Sequence, residues 1–168
     1  FGRTNQRDNN AFSGFTLIEL LIVISVTGAL AASVFVVLNP LTQIQKANDA
    51  RRKSDLEKIQ RALEIYYNDV GKYPEADTVQ HKIRDINGIT VDWGTTGFVP
   101  YMQVLPEDPS STKTYVYNSP SGEQSYRLYA SLDRADDPQS CGGVCPNAGG
   151  LSCGGDCNYG VTSPNVSP

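Results

Sequence analysis

The chain is poor in the residues that most often carry chemistry. Its 168 residues include one histidine, His81, which lies in a polar stretch and reads as a surface residue. There is no C-x-x-C-H haem motif, no nucleotide-binding glycine-rich loop, and no serine or cysteine nucleophile with a histidine near it in sequence. Those gaps leave spatially assembled carboxylates as the one route to catalysis, and nothing in the sequence advertises it. Positive charge is in deficit: 14 Lys+Arg face 18 Asp+Glu, a formal net charge of -4, so no nucleic-acid-coating surface is expected. The 9 tyrosines fall mostly at core or sheet positions, which argues against an aromatic stripe for DNA or sugar. Glycine and proline are scarce before Gly71 and densest after Asp137, so the first half reads as regular and the tail as loop. Cysteine is absent until Cys141.

Charge is missing from one long stretch, with a single exception. Phe15 to Leu38 is an apolar run of 24 residues whose one ionisable side chain is Glu19. As a helix rising about 1.5 Å per residue it spans roughly 36 Å, enough to cross the hydrocarbon core of a bilayer. Roughly 130 residues then remain for a globular part. The run has no polar face, which argues against a buried core helix. A plain membrane anchor is one reading. A secretory signal cut near Ala29-Leu30-Ala31 is another, but Glu19 sits badly in a signal's apolar region and the run continues through Val34, Phe35, Val36, Val37 and Leu38. A lone carboxylate in a membrane-length helix is costly and calls for a partner, here on another molecule.

Residues 1–14 are polar and carry Arg3 and Arg7, and the switch to apolar is abrupt at Gly14/Phe15. A short polar leader, a glycine, then Phe15-Thr16-Leu17-Ile18-Glu19-Leu20-Leu21 resembles the prepilin signature of type IV pilins and type II secretion pseudopilins. The resemblance implies that a prepilin peptidase cuts between Gly14 and Phe15 and methylates the new Phe15 amine. It also implies that Glu19 of an incoming subunit pairs with the Phe15 amine of its neighbour and sets the axial register. The physics agrees. A carboxylate near a helix N-terminus is mildly favourable, and a close opposite charge offsets much of the several kcal/mol that an unpaired ion costs in a dry bundle. The chain opens on Phe1 and not on Met, so the leader's own start is expected upstream.

Asn39-Pro40 interrupts the run, where a proline kinks or locally melts a helix. Beyond it, Leu56, Ile59, Leu63, Tyr66 and Val70 recur at 3-4-3-4 spacing, with Ala62 widening the stripe. Arg51, Arg52, Lys53, Asp55, Glu57, Lys58, Arg61 and Glu64 are expected mostly off it. Gly71, Lys72 and Pro74 predict the stop. One helix of about 55 residues is expected, near 80 Å if continuous. Thr114–Tyr117 and Ser125–Leu132 predict two strands joined by a turn at Ser119-Pro120-Ser121-Gly122. Tyr126, Leu128, Ala130 and Leu132 share the face that covers the stripe; Arg127, Tyr129 and Ser131 take the other. Gly71-Lys72-Tyr73-Pro74, Leu105-Pro106-x-Asp108-Pro109 and Tyr126-x-Leu128-Tyr129-x-Ser131 look like the G-type (major) pseudopilins. The expected fold class is pilin-like α+β: a long N-terminal transmembrane and amphipathic helix on a small antiparallel β-sheet, with a loop-rich, cysteine-containing tail.

Ser140-Cys141-Gly142-Gly143-Val144-Cys145 recurs as Ser152-Cys153-Gly154-Gly155-Asp156-Cys157, a duplication with a period of 12 residues. Two C-x3-C units could offer four thiolates to zinc, although C-x2-C spacing is commoner. A head outside the cytoplasm favours disulfides, with 3 possible connectivities among the 4 cysteines. Asp133, Asp136 and Asp137 form an acidic cluster after the hairpin. The resemblance implies a calcium loop at about this place. Here, however, Pro138 and the cysteine repeat stand where the family has an acidic, glycine-rich loop, and a solvated acidic turn is the simpler reading. No other cofactor is expected.

The chain thus divides into a prepilin leader (1–14), a membrane and filament-core helix segment (15–38), the amphipathic helix of the head (39–71), a globular head with the hairpin (72–137) and a Cys/Gly-rich tail (138–168). The expected role is structural and not enzymatic. The subunit is stored in the cytoplasmic membrane with its head outside the cytoplasm, then extracted into a helical periplasmic or extracellular filament, a secretion pseudopilus or a type IV pilus. Expected partners are copies of itself and minor pilins, the prepilin peptidase, an inner-membrane assembly platform, membrane lipid before assembly, and a separate cytoplasmic ATPase, since the chain has no nucleotide site. Two other readings stay open: a minor tip subunit that presents the cysteine tail for adhesion or ligand binding, and an exported enzyme or sensor on a plain anchor.

Overall fold

The computed structural model describes residues 14–120 and 124–168, with backbone alone for 35–38. Residues 1–13 of the leader, with Arg3 and Arg7, and the Ser121-Gly122 half of the predicted turn lie outside the described residues. The chain forms two units, one ending at Pro40 and the other running from Leu41 to Pro168.

The first unit is helix α1 (Leu17–Leu38, 22 residues). Past Glu19, its hydroxyl side chains turn inward on the backbone. The hydroxyls of Ser25, Thr27 and Ser33 donate to the carbonyls of Leu21, Val23 and Ala29 at 2.7, 2.7 and 2.8 Å. What α1 presents outward is therefore apolar, and from Leu17 to Val34 it is long and apolar enough to cross a membrane. At its end Asn39 adopts a left-handed conformation (φ 38°, ψ 75°), and Pro40 opens a second helix, α2 (Pro40–Val70, 31 residues). The single helix of about 55 residues expected from the sequence is thus two helices broken at Asn39. Proline removes a backbone donor and excludes the helical conformation from the residue before it. Asparagine tolerates the left-handed alternative, and proline suits the first position of the new helix.

In the second unit, α2 buries Leu56, Ile59, Ala62, Leu63 and Tyr66 of the stripe read from the sequence, and Val70 is half-buried against the same core. Gly71 follows with φ 81° and its N–H donates to the Tyr67 carbonyl at 2.8 Å, which ends the helix where expected. Against the stripe lies a three-stranded antiparallel sheet, β1 (Val116–Asn118), β2 (Arg127–Ala130) and β3 (Tyr159–Thr162), in the order β1-β2-β3. Leu128 pairs with Tyr117 on one side and Val161 on the other. Tyr117, Tyr126, Leu128, Ala130 and Leu132 share one core with the α2 stripe, closed by Ile83, Val91, Trp93, Phe98 and Leu105 from the connection between helix and sheet. The tyrosine hydroxyls find acceptors at the edges of this core: Tyr115 donates to Asp55 at 3.2 Å, Tyr73 to Glu64 at 3.0 Å, and Tyr117 to the Pro74 carbonyl at 2.8 Å.

The other face of the sheet is also covered. Val116 and Tyr129 pack with Cys145, Ala148, Cys153 and Cys157, so the tail lies on the sheet as a third layer and supplies β3 from its own sequence. Two glycines make this approach possible. A Cβ on Gly160 would meet the Tyr129 ring at 2.8 Å, and one on Gly154, at φ 77°, would run into the Thr112 carbonyl.

Charged residues continue the α2 stripe toward its N-terminus. Asp49, Arg52 and Asp55 keep the 3-residue spacing and are buried, which corrects the expectation that Arg52 and Asp55 lie off the stripe. Arg52 donates from Nε and Nη2 to Asp108 at 2.9 and 3.0 Å, from Nη1 to Asp49 at 2.9 Å, and faces Asp133 at 2.9 Å. Asp49 also accepts the backbone N–H of Asp133 and Arg134 at 2.7 and 3.1 Å. One guanidinium thus ties α2 to the Leu105–Pro109 segment and to the loop after β2. Burial alone would raise the Asp133 carboxyl, but hydrogen bonds from Lys113 and Arg52 overcome it and hold it below the ordinary range. Asp137 is held low by its bond from Lys53, against the cost of burial.

Removing Arg52 leaves carboxylates buried without their cation, and Arg52→Ala is expected to cost about 3–5 kcal/mol of head stability in chemical denaturation. Because Asp133 and Asp137 titrate low, their contribution is whole above about pH 4 and is lost as pH falls below it toward their folded values. Melts across that window should hold level from neutral pH down to its upper edge and then drop. Replacing Cys153 and Cys157 together by alanine should cost ~2 kcal/mol through loop entropy, and a reducing agent should move the wild type but not this variant by that bridge's share.

Candidate functional site

Gly14 and Phe15 precede α1 in non-helical, exposed backbone, and Phe15 is 87% exposed. Gly14 has no positive φ, and no described atom lies within 4 Å of where a Cβ would stand, so nothing in the described fold asks for glycine there. Thr16 caps α1 in extended conformation (φ -77°, ψ 151°). Its hydroxyl accepts the Glu19 N–H at 3.3 Å. Glu19 Oε2 in return accepts the Thr16 N–H at 3.0 Å and the Thr16 hydroxyl at 2.8 Å. This reciprocal capping box fixes the carboxylate on the first turn, beside Phe15. Hydrogen bonding is satisfied, but by neutral donors: among the described residues no cation pairs with Glu19. The structure therefore joins Thr16 and Glu19 at the helix end that Phe15 precedes, with no balancing cation among the described residues.

The cysteines pair within each repeat, Cys141 with Cys145 and Cys153 with Cys157, and none is free. That selects disulfides over a four-thiolate zinc site and selects one of the 3 connectivities. The two loops also bind each other, Cys145 N–H donating to the Cys157 carbonyl at 2.9 Å and Cys141 N–H to the Asn158 carbonyl at 2.7 Å. The three aspartates do not converge. Asp133 faces Arg52 and Lys113, Asp136 faces Arg134, and Asp137 faces Lys53. His81, expected at the surface, is half-buried; it adopts a left-handed conformation (φ 51°) and its carbonyl accepts the Tyr117 N–H at 2.7 Å. Seven of the tyrosines, Tyr66, Tyr73, Tyr115, Tyr117, Tyr126, Tyr129 and Tyr159, are buried and so form no binding stripe.

Arg52, Asp49 and Lys113 were not visible as partners in the sequence. The signal that could have found the first two is their place on the 3-4 spacing of the α2 stripe, where an ionic side chain has to be paired. Lys113 gave none, because its partners lie across the hairpin.

Residues 39–141 match the family model of type II secretion system (T2SS), protein G, and residues 9–35 match the prokaryotic N-terminal methylation motif. The type II secretion system core protein G of Vibrio cholerae serotype O1 is 32% identical over 110 residues, 64% of this chain and 71% of that one. That of Pseudomonas aeruginosa is 31% identical over 121 residues, 70% of this chain and 81% of its own, and that of Escherichia coli K12 is 28% identical over 121 residues, 70% and 79%. No solved structure matches the chain. The head match decides between secretion pseudopilus and type IV pilus in favour of secretion, and between main subunit and tip adhesin in favour of the main subunit. With its methylation motif, apolar first helix and α+β head, the chain belongs to the type II secretion system protein G family and is a structural pseudopilin, not an enzyme.

Proposed function

We propose that this pseudopilin is cut between Gly14 and Phe15 by the prepilin peptidase, methylated on the Phe15 amine, held in the cytoplasmic membrane by residues 15–38 with its head outside, and drawn from there into a helical pseudopilus of its own copies and minor pilins. The observation that carries this reading is Glu19: a single carboxylate, fixed on the first turn of an apolar helix by Thr16, with no cation among the described residues. Cleavage creates the missing cation at Phe15. Within one chain that amine adjoins the capping box; between chains it gives each incoming Glu19 one place along the filament axis where its charge is balanced. Support for the cut itself is that Gly14 is a glycine without a structural reason, in exposed chain just ahead of the helix. Cohesion comes from the apolar surface of α1, worth about 25 cal/mol per Å² where it leaves water; where it leaves lipid, close packing against other copies supplies the gain. Extraction needs work from outside the chain, which the assembly platform and its cytoplasmic ATPase supply.

The Glu19→Ala variant is expected to show the same mature N-terminus as wild type by mass spectrometry, a methylated Phe15, and yet to yield no pseudopilus when the protein is overproduced in a secreting cell. Wild-type quantities of filament from that variant, or a native protein that keeps residues 1–14, would refute the reading.

A further inference from the structure

The resemblance to G-type pseudopilins implies a calcium ion in the loop after the hairpin, and the donors that this chain places there do not fit one. Calcium takes six to eight oxygen ligands, and the oxygens that would serve are bonded to cations fixed in the chain. Asp133 Oδ1 accepts from Lys113 Nζ, and Asp133 Oδ2 faces Arg52 Nη1 at 2.9 Å. The Ser131 carbonyl, an oxygen of the kind calcium uses, accepts from the same Lys113 Nζ at 3.1 Å. Asp137 Oδ1 accepts from Lys53 Nζ at 2.6 Å and from the Gln139 N–H at 2.9 Å. Asp136 points outward, 81% exposed, against Arg134. Among the described residues no three acidic, histidine or cysteine groups are disposed to hold a metal. A divalent ion placed here would meet four resident positive charges, from Arg52, Lys53, Lys113 and Arg134.

We propose that the ammonium of Lys113 is the structural cation of this head, bridging the Ser131 carbonyl and the Asp133 carboxylate, and that the folded head has no calcium requirement. Its position fits the task. Lys113 lies just before β1 and Ser131 just after β2, so the ammonium clasps the open end of the antiparallel β1–β2 pair. The side chain is mostly buried, 16% exposed, so the clasp is shielded from bulk screening. The tail holds the same two segments. The Cys153 carbonyl accepts the Thr114 N–H at 3.0 Å, and Gly155 lies against Ser131, so the Cys153–Cys157 loop fastens Lys113's neighbours to Ser131's. The Cys153–Cys157 loop lies beyond the stretch that matches the family model, which ends at Cys141. A tethered cation and a disulfide loop together do what a bound ion does, without depending on the ion supply outside the cytoplasm.

The test uses the full chain in detergent and reads melting of the head in calcium and in excess EGTA, with calorimetric calcium titration alongside. Wild type is expected to melt at the same temperature in both and to give no binding heat. Lys113→Met, which keeps the aliphatic stem, is expected to melt several degrees lower in both buffers. A wild-type melting temperature that rises with calcium and falls with EGTA would overturn the proposal, as would a Lys113→Met protein as stable as wild type. Should that variant fail to fold, the wild-type calcium comparison decides alone. The measurement concerns the head's stability and not filament growth, so its outcome is separate from that of the assembly reading.

Discussion

An apolar helix with no polar stripe has to be covered by something other than its own chain. α1 offers lipid or another α1 nothing to hydrogen-bond, because its serines and threonine already donate to their own backbone. The one group that cannot be hidden this way is the Glu19 carboxylate. Every step of the proposed life of the subunit is a different answer to where that charge goes. In that proposal, cutting at Gly14–Phe15 generates a positive charge one residue ahead of the helix cap.

The head solves a different problem. Strands of three or four residues give a small sheet, and the core on its helix side is built from tyrosines whose hydroxyls need acceptors. α2 supplies Asp55 for Tyr115 and Glu64 for Tyr73 and Tyr126, and the Pro74 carbonyl beyond its end serves Tyr117. Where the stripe runs past the sheet, Arg52 takes over and binds two loops at once. A buried guanidinium of this kind is weak evidence for added stability, but it fixes geometry: the bidentate bond to Asp108 sets the Leu105–Pro109 segment, and Asp133 sets the loop after β2. Oxidised loops complete the other side, so each face of the thin sheet is held by a chemistry suited to it, ionic and aromatic toward α2, covalent toward the tail.

How much of this was legible depends on whether partners are local in sequence. The α2 stripe, its stop at Gly71 and the β1–β2 pair followed from periodicity and turn chemistry, and the N-terminal signature followed from consecutive residues. What failed was non-local. Tyr159-Gly160-Val161-Thr162 is too short and glycine-interrupted to read as a strand, and its glycine makes sense only when the Tyr129 ring is known to lie on it. The alternation puts Tyr129 on the outer face, where the structure has it, but a tail so poor in apolar residues gives no hint that it covers that face. Its disulfides and Ala148 do the covering. Arg52 is expected off the stripe because it is charged, and a helical period does not say how far a buried face extends. Asn39-Pro40 announced an interruption, and the full break came from Asn39 accepting a left-handed conformation.

The capping box at Thr16 bears on both environments that the helix must occupy. It satisfies the hydrogen-bonding capacity of Glu19 Oε2 and leaves its charge untouched, because a hydroxyl and an amide carry none. At a membrane surface that is sufficient, since a carboxylate on the first turn of the helix can reach the polar interface. Deep in a bundle of helices it is not, because a neutral cap cannot replace hydration of an ion. On the proposed assembly route, the same cap makes Glu19 tolerable in the stored subunit and incomplete in the assembled one. That proposed incompleteness would give direction to assembly, since a copy would gain from placing Glu19 against a Phe15 amine in proportion to how dry the site becomes. Register and packing thus reinforce each other, for the tighter the apolar surfaces close, the more a misplaced carboxylate costs.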